Sequence, residues 1–328
     1  MQAVWFDRFG DANRILKYSE VETPVAGPGE VLVRVKTSAI NPSDVKKRAG
    51  SFMNLLDDGY VIPNSDGAGV IEAVGDGVHK SRLGERVWLY QAQFGRRFGT
   101  AADYVAIESG RAPRLDQNTV YEVGACLGIP AMTAHRAVFA DGDVAGQTIL
   151  ITGGAGRVGY YAIQWAVQAG ATVIASASKF ADRESCEKAG AHHVVDHSSE
   201  YFAESILSAS GQKLIDRVID VQFGANLETS VAVLKVGGII ATYSSTQDPR
   251  PQLPFFQMMY KDLTVRMIIV YAMPERAKAQ AIYDIDGALA QNRLHHRIAE
   301  MLPMSEAVKG NEIVEEGKVR GAVILSNE

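Results

Sequence analysis

The feature that most constrains this chain is a run of glycines placed between an apolar strand and a helix. Ile149-Leu150-Ile151-Thr152 leads into Gly153-Gly154-Ala155-Gly156-Arg157-Val158-Gly159, and residues 158–169 follow with helical apolar spacing. Each glycine has a physical task. One permits the tight turn, one lets backbone N–H groups approach a pyrophosphate, and the last lets the helix pack closely on the sheet. The helix N-terminus adds its positive dipole end and unpaired N–H groups. The run Gly153, Gly154, Ala155, Gly156, Arg157, Val158, Gly159 therefore predicts a dinucleotide-binding loop; the alternative is a purely structural turn.

The surrounding pattern fits a doubly wound sheet. Strands are expected over 148–152, 172–176, 193–195, 217–220, 238–243 and 263–271, with helices over 158–169 and 180–189 between the first of them. Such alternation implies parallel strands joined by crossover helices. Before residue 120 the pattern differs: 31–35, 67–78, 86–90 and 102–107 read as short strands broken by Gly and Pro, a β-rich and partly closed barrel-like domain. The last strand, 321–325, is expected to return to it. At 328 residues the chain suits two domains, a catalytic one over 1–120 plus 272–328 and a dinucleotide-binding one over 121–271.

Composition excludes other classes. The net charge is −5 and no dense basic run appears, which argues against a nucleic-acid partner. Only Cys126 and Cys186 are present, too few for a disulfide framework, and a reducing compartment is expected. No leader-like opening and no membrane-length apolar run is seen, so a soluble, cytoplasmic protein is expected.

The end of the second strand selects the cofactor. An NAD site places an acid there to hold the ribose 2′-hydroxyl. This chain has Ala175-Ser176-Ala177-Ser178-Lys179 instead, with Arg183 a helical turn further. Hydroxyls and positive charge suit a 2′-phosphate, so Ser176, Ser178 and Lys179 predict NADPH (NADP). The alternative is that Lys179 and Arg183 only solvate the helix start.

With Asn41-Pro42-Ser43-Asp44, Arg48-Ala49-Gly50, Asp66 to Gly75, Gly84-Glu85-Arg86-Val87, Gly128 to Ala134 and Ala189-Gly190-Ala191-His192, the whole chain resembles the zinc-independent medium-chain dehydrogenase/reductase superfamily. Within it, the chain looks like the quinone oxidoreductase (zeta-crystallin) family. The resemblance implies a Rossmann domain inserted in a split, GroES-like catalytic domain, with the active site in the cleft between them. It implies candidate catalytic residues Asn41, Asp44 and Lys46, with Asn41, Pro130 and Thr133 near the nicotinamide. It places His197 by the adenosine phosphate, and Tyr243, Ser244, Ser245, Ile269, Val270 and Tyr271 beside the cofactor. Lys318 and Arg320 fall in a segment that gives a basic residue to the 2′-phosphate. Lys46 stands where some relatives carry a tyrosine, and Arg157 replaces a small residue in the loop.

Zinc-containing relatives need a Cys, a His and a further Cys or acid, plus a four-cysteine lobe. Two cysteines cannot build that lobe, and Ser65-Asp66 stands where the zinc enzymes show His-Glu. No metal is therefore expected. Without a Lewis acid, alcohol oxidation is disfavoured and an electron-poor acceptor fits better. The expected activity is NADPH:quinone reduction. An enone or enal double-bond reductase is one alternative, and a non-catalytic, NADPH-binding structural or RNA-binding protein is another. A homodimer is expected through 263–271, a long β-prone run late in the sheet.

Overall fold

The computed structural model describes residues 1–327. The chain forms two compact units, one from Met1–Ile129 together with the chain from Ile282 onward, the other from Pro130–Ala281.

The second unit is built on a six-stranded parallel sheet. Its strands lie in the order Thr264–Met267, Leu234–Thr242, Ile215–Asp220, Thr148–Ile151, Thr172–Ser176, His193–Val195. Leu150, Ile174, Val218 and Ile240 of four of these strands are buried in one core with Phe202, Ile206, Leu227 and Val231 of two helices. Strands buried on both faces read as continuous apolar runs, as Thr148–Ile151 does. The chain first steps outward from Thr148–Ile151 to Thr172–Ser176, then crosses back to Ile215–Asp220. The winding reverses between those neighbours, and a crevice for a ligand is expected outside their carboxyl ends.

The first unit centres on the strand Glu30–Ile40. Asp66–Val74 pairs along one side of it; Tyr104–Glu108 and Ala322–Ser326 share the other. Val31, Val33 and Val35 alternate into a core with Ile71, Val87, Val105 and Ile107. Ile298–Pro303 and Arg86–Leu89 end the sheet, which does not close into a barrel. The last strand does return to this unit, pairing antiparallel with Glu30–Ile40.

Three expectations change. The apolar stretch from Tyr121 is not one helix: Tyr121–Gly124 is α-helical, Leu127–Ala131 is a π-turn holding Pro130, and Met132–Phe139 resumes the α-helix. Proline lacks the N–H that an unbroken helix needs. Residues 121–129 belong to the first unit, because Thr37 Oγ1 donates to the Tyr121 carbonyl at 2.7 Å and Cys126 packs with Ala322 and Ile324. Finally, the run 263–271 is not one long strand. Only Thr264–Met267 pairs as one, and Val270–Ala272 is a 3₁₀ turn.

Candidate functional site

In the second unit, the glycine loop is shaped by contacts that leave no room for side chains. Gly153 has φ +60°, a left-handed conformation that favours glycine. A Cβ on Gly159 would overlap the Gly153 carbonyl oxygen, and one on Gly154 would lie 2.9 Å from both the Ala175 Cβ and the Cys186 Sγ. Cys186 is thus a small packing residue beneath the loop, a role its sequence context did not reveal. Gly156 is the N-cap of the helix Arg157–Gln168 and no side chain caps that end. The first-turn N–H groups of a twelve-residue helix, with a glycine approach, fit a pyrophosphate.

At the end of Thr172–Ser176 the predicted residues separate. Ser176 is buried and its Oγ accepts from the Gly153 N–H at 3.1 Å, while its carbonyl accepts from Gly154 N–H at 3.0 Å. It holds the phosphate loop. Ser178 and Lys179 are exposed, with Lys179 at the N-cap of Phe180–Lys188. Arg183 donates to the Val194 carbonyl at 3.1 Å, and His197 is exposed. This strand end therefore carries hydroxyl and ammonium groups and no carboxylate.

The carboxyl ends of Thr148–Ile151 and Ile215–Asp220 bring together residues that the sequence did not single out. Asp220 Oδ1 accepts from Thr152 Oγ1 at 2.6 Å, Asn226 Nδ2 at 2.8 Å and the Gln222 N–H at 3.0 Å. Its Oδ2 is buried without a partner. The Tyr243 N–H donates to the Asp220 carbonyl at 3.2 Å, and burial, then the nearby Asp220 charge, raises the Tyr243 phenol above its usual range. Ser244 accepts from Phe223 N–H through its carbonyl, and the Ser245 hydroxyl accepts from Gly224 N–H at 2.9 Å. Ile269 is exposed, whereas Val270 and Tyr271 are buried. Pro130 and Thr133 are buried where this unit begins.

In the first unit a polar cluster surrounds the start of the helix Pro42–Arg48. Asn41 caps that helix in a reciprocal box with Asp44, whose Oδ2 accepts from the Asn41 N–H at 2.9 Å. Asn41 Nδ2 also donates to Asp66 Oδ2 at 2.8 Å. Lys47 is enclosed; its Nζ donates to the Gln93 carbonyl at 2.6 Å and to Ser65 Oγ at 3.3 Å. Burial lowers the Lys47 pKa, with Asp44 and Asp66 opposing the shift. Lys46, the expected catalytic lysine, is exposed, because the helical turn that buries Asp44 and Lys47 points its neighbour outward. Lys47, Ser65, Asp66 and Gln93 were missed. The available signals were the i, i+3 spacing of Asp44 and Lys47 and an acid opening the apolar strand Asp66–Val74. In the same unit, Asn64 at φ 73° and Gln91 at φ 55°, both buried, hold left-handed backbone. Lys318 and Arg320 lie in this unit beyond its last helix, Lys318 paired with Glu316 at 3.2 Å and Arg320 donating to the Gly317 carbonyl at 2.8 Å.

Among the described residues, no three His, Cys, Asp or Glu side chains gather as a metal site would require. Cys126 and Cys186 are buried and form no disulfide. No helix among those residues is long and apolar enough to cross a membrane.

Comparison with known proteins agrees with this architecture. Residues 27–117 match the alcohol dehydrogenase GroES-like domain, and residues 158–285 match the family described as zinc-binding dehydrogenase. The chain is similar to the quinone oxidoreductase of Mus musculus, 31% identical over 241 residues that cover 73% of this chain and 71% of that one. It is also similar to a 2-haloacrylate reductase of a Burkholderia species, 28% identical over 99% of this chain and 98% of the other. A mycobacterial protein solved in complex with NADPH shares the fold, with a TM-score of 0.88 at 22% identity, over the full length of both chains. This chain belongs to the quinone oxidoreductase family of the medium-chain dehydrogenase/reductase superfamily.

Proposed function

We propose that this protein is an NADPH-dependent oxidoreductase that transfers hydride to a quinone without a metal. The observation that carries this reading is the pair formed by the glycine loop and the acid-free strand end beside it. Gly153, Gly154, Ala155, Gly156, Arg157, Val158 and Gly159 hold the pyrophosphate with main-chain N–H groups. Ser178 and Lys179 take the 2′-phosphate, with His197, Lys318 and Arg320 as further basic candidates. Ser176 serves from beneath by fixing the loop. Tyr243, Ser244, Ser245, Ile269, Val270 and Tyr271 flank the cofactor, and Pro130 and Thr133 serve its nicotinamide end. The mycobacterial complex with NADPH supports the choice of cofactor.

Bound NADPH supplies the hydride. The chain's own part is to fix the ring, exclude water and deliver one proton to the reduced acceptor oxygen, so that hydride plus proton convert quinone to hydroquinone. Lys46 is exposed and cationic, suited to donate a hydrogen bond to that oxygen, with Asp44 and Asn41 ordering its helix. Ser65 and Asp66 in place of a His-Glu pair, and only two cysteines in the chain, favour metal independence. The similarity to a 2-haloacrylate reductase favours a second reading, reduction of an activated alkene. We further propose a cytoplasmic homodimer: the two unlinked cysteines fit a reducing compartment, and Thr264–Met267 lies at an open sheet edge with Met267 and Ile269 exposed.

The test is NADPH oxidation against a matched panel of benzoquinones, enones and enals. Quinones should give the highest kcat/KM. Faster turnover of an alkenal transfers the assignment to double-bond reduction. Tight NADPH binding with no turnover on any acceptor makes the protein a non-catalytic binder.

A further inference from the structure

Asp66 opens the strand Asp66–Val74 and is wholly enclosed. One of its oxygens does two tasks. Oδ2 accepts from Asn41 Nδ2 at 2.8 Å and from the Ile129 backbone N–H, also at 2.8 Å. Asn41 caps the helix that carries Lys46, and Ile129 sits in the π-turn Leu127–Ala131, directly before Pro130. The other oxygen faces Gly128, where a Cβ would overlap Oδ1, so only glycine lets the turn come this close. That oxygen is buried and has no hydrogen-bond partner.

We propose that Asp66 is a positioning residue, whose single oxygen Oδ2 ties the helix start at Asn41 to the turn at Ile129 and so sets the spacing of the two segments. Asp66 acts through those segments and not on the substrate. Both donors reach the same oxygen, Oδ2, while Oδ1 lies against Gly128. Enclosure pushes the Asp66 pKa up to about 8, against the Ile129 hydrogen bond; Asp44 adds to the rise, while Asn41 and Lys47 oppose it. Asp44 and Lys47, both from the helix Pro42–Arg48, are the charged groups acting on it, and the Leu127–Ala131 turn brings none. Ionisation would put a second anion beside Asp44 in an enclosed cluster, a cost that outweighs the preference of the two N–H donors for a charged acceptor, so the enclosed arrangement favours the protonated acid and its advantage over an opened one is lost as pH rises through about 8. The tie itself does not depend on the reductase reading, but its effect on turnover does.

The experiment is hydrogen exchange at the Ile129 amide in the full chain, in wild type, Asp66→Asn and Asp66→Leu. Asp66→Asn keeps an oxygen for both donors and should keep Ile129 protection near the wild-type level at about pH 6.5, whereas Asp66→Leu should lose about tenfold. From about pH 6.5 to about pH 9.5, wild-type protection should fall relative to Asp66→Asn, which has no proton to lose there. If Asp66→Leu does not fold, this wild-type-to-Asn comparison decides alone. Asp66→Leu should also raise KM for NADPH, while binding of adenosine 2′,5′-bisphosphate stays unchanged. Wild-type protection in a folded Asp66→Leu variant, or identical pH dependence of wild type and Asp66→Asn, overturns the proposal. Should protection respond as stated while no acceptor is reduced, the tie stands and the reductase reading falls.

Discussion

The glycine loop of the second unit and the polar cluster of the first are both tightly constrained, but by different parts of the chain. The loop is made of backbone. Its recognition groups are N–H donors at a helix start, and its specificity comes from positions where no Cβ fits, as at Gly159 against the Gly153 carbonyl. The cluster is made of side chains. Asn41, Asp44, Lys47, Ser65 and Asp66 hydrogen-bond one another out of water. A backbone site tolerates almost any neighbouring chemistry and no added volume. A side-chain cluster tolerates isosteric exchange and responds to charge and pH.

The largest expected effect tests the backbone half of that contrast. Gly159→Val should weaken NADPH binding by at least about a hundredfold, since the added atoms meet rigid backbone. Gly156→Ala should be mild by comparison, because its nearest neighbour would be at 3.1 Å. Fluorescence titration with NADPH checks both, and equal losses at the two positions would break the close-approach argument. The side-chain half is tested by two adjacent lysines. Lys47→Met leaves Asp44 without its enclosed cation and should cost about 3 kcal/mol of stability in urea unfolding. Lys46→Met, at an exposed position, should leave the urea midpoint within about 0.5 kcal/mol while slowing turnover. If the two variants are equally stable, the cluster is not held by its charges.

Smaller effects sharpen the account of the strand ends. Lys179→Ala should weaken NADPH by about tenfold and leave NADH unchanged, a charge-assisted contact discounted for exposure. Equal losses for both cofactors would remove Lys179 from the 2′-phosphate. At the sheet edge, Ile268 donates its N–H to the Thr242 carbonyl at 2.7 Å, so it faces inward, and Met267 faces the open side. Met267→Pro should therefore lower the mass measured by light scattering from dimer towards the 35.4 kDa chain with little loss of stability, whereas Ile268→Pro should damage the fold itself. Arg266 does not guard that edge with a bare charge, because its Nε donates to Asp141 Oδ1 at 2.7 Å. The smallest effect is none: dialysis against a strong chelator should leave NADPH oxidation intact, and loss of activity together with stoichiometric zinc would refute metal independence.

What the sequence determined by itself was periodic or conformational. Strand Thr172–Ser176 and strand His193–Val195 were legible to the residue, because they are short apolar runs between clear breakers. The glycine loop was legible because backbone freedom is written directly into residue type. Short-range signals failed where a contact reached across the chain. Nothing near Tyr121 announces that Thr37 will bind its carbonyl and keep it in the first unit, and nothing near Leu263 says that the strand will stop at Met267. That Lys47 would be the enclosed lysine and Lys46 the exposed one was equally hidden, since one step along a helix turns a side chain by about 100° and only the packing partner decides which step faces inward. Asp66 is the clearest case. Its sequence signal is an acid at the head of a mostly apolar strand, but its role depends on Asn41 and Ile129, which come from distant parts of the chain, meeting at a single oxygen. Backbone geometry is a local property and survives in the sequence; the partner of a buried polar group is a tertiary property, and only the folded chain supplies it.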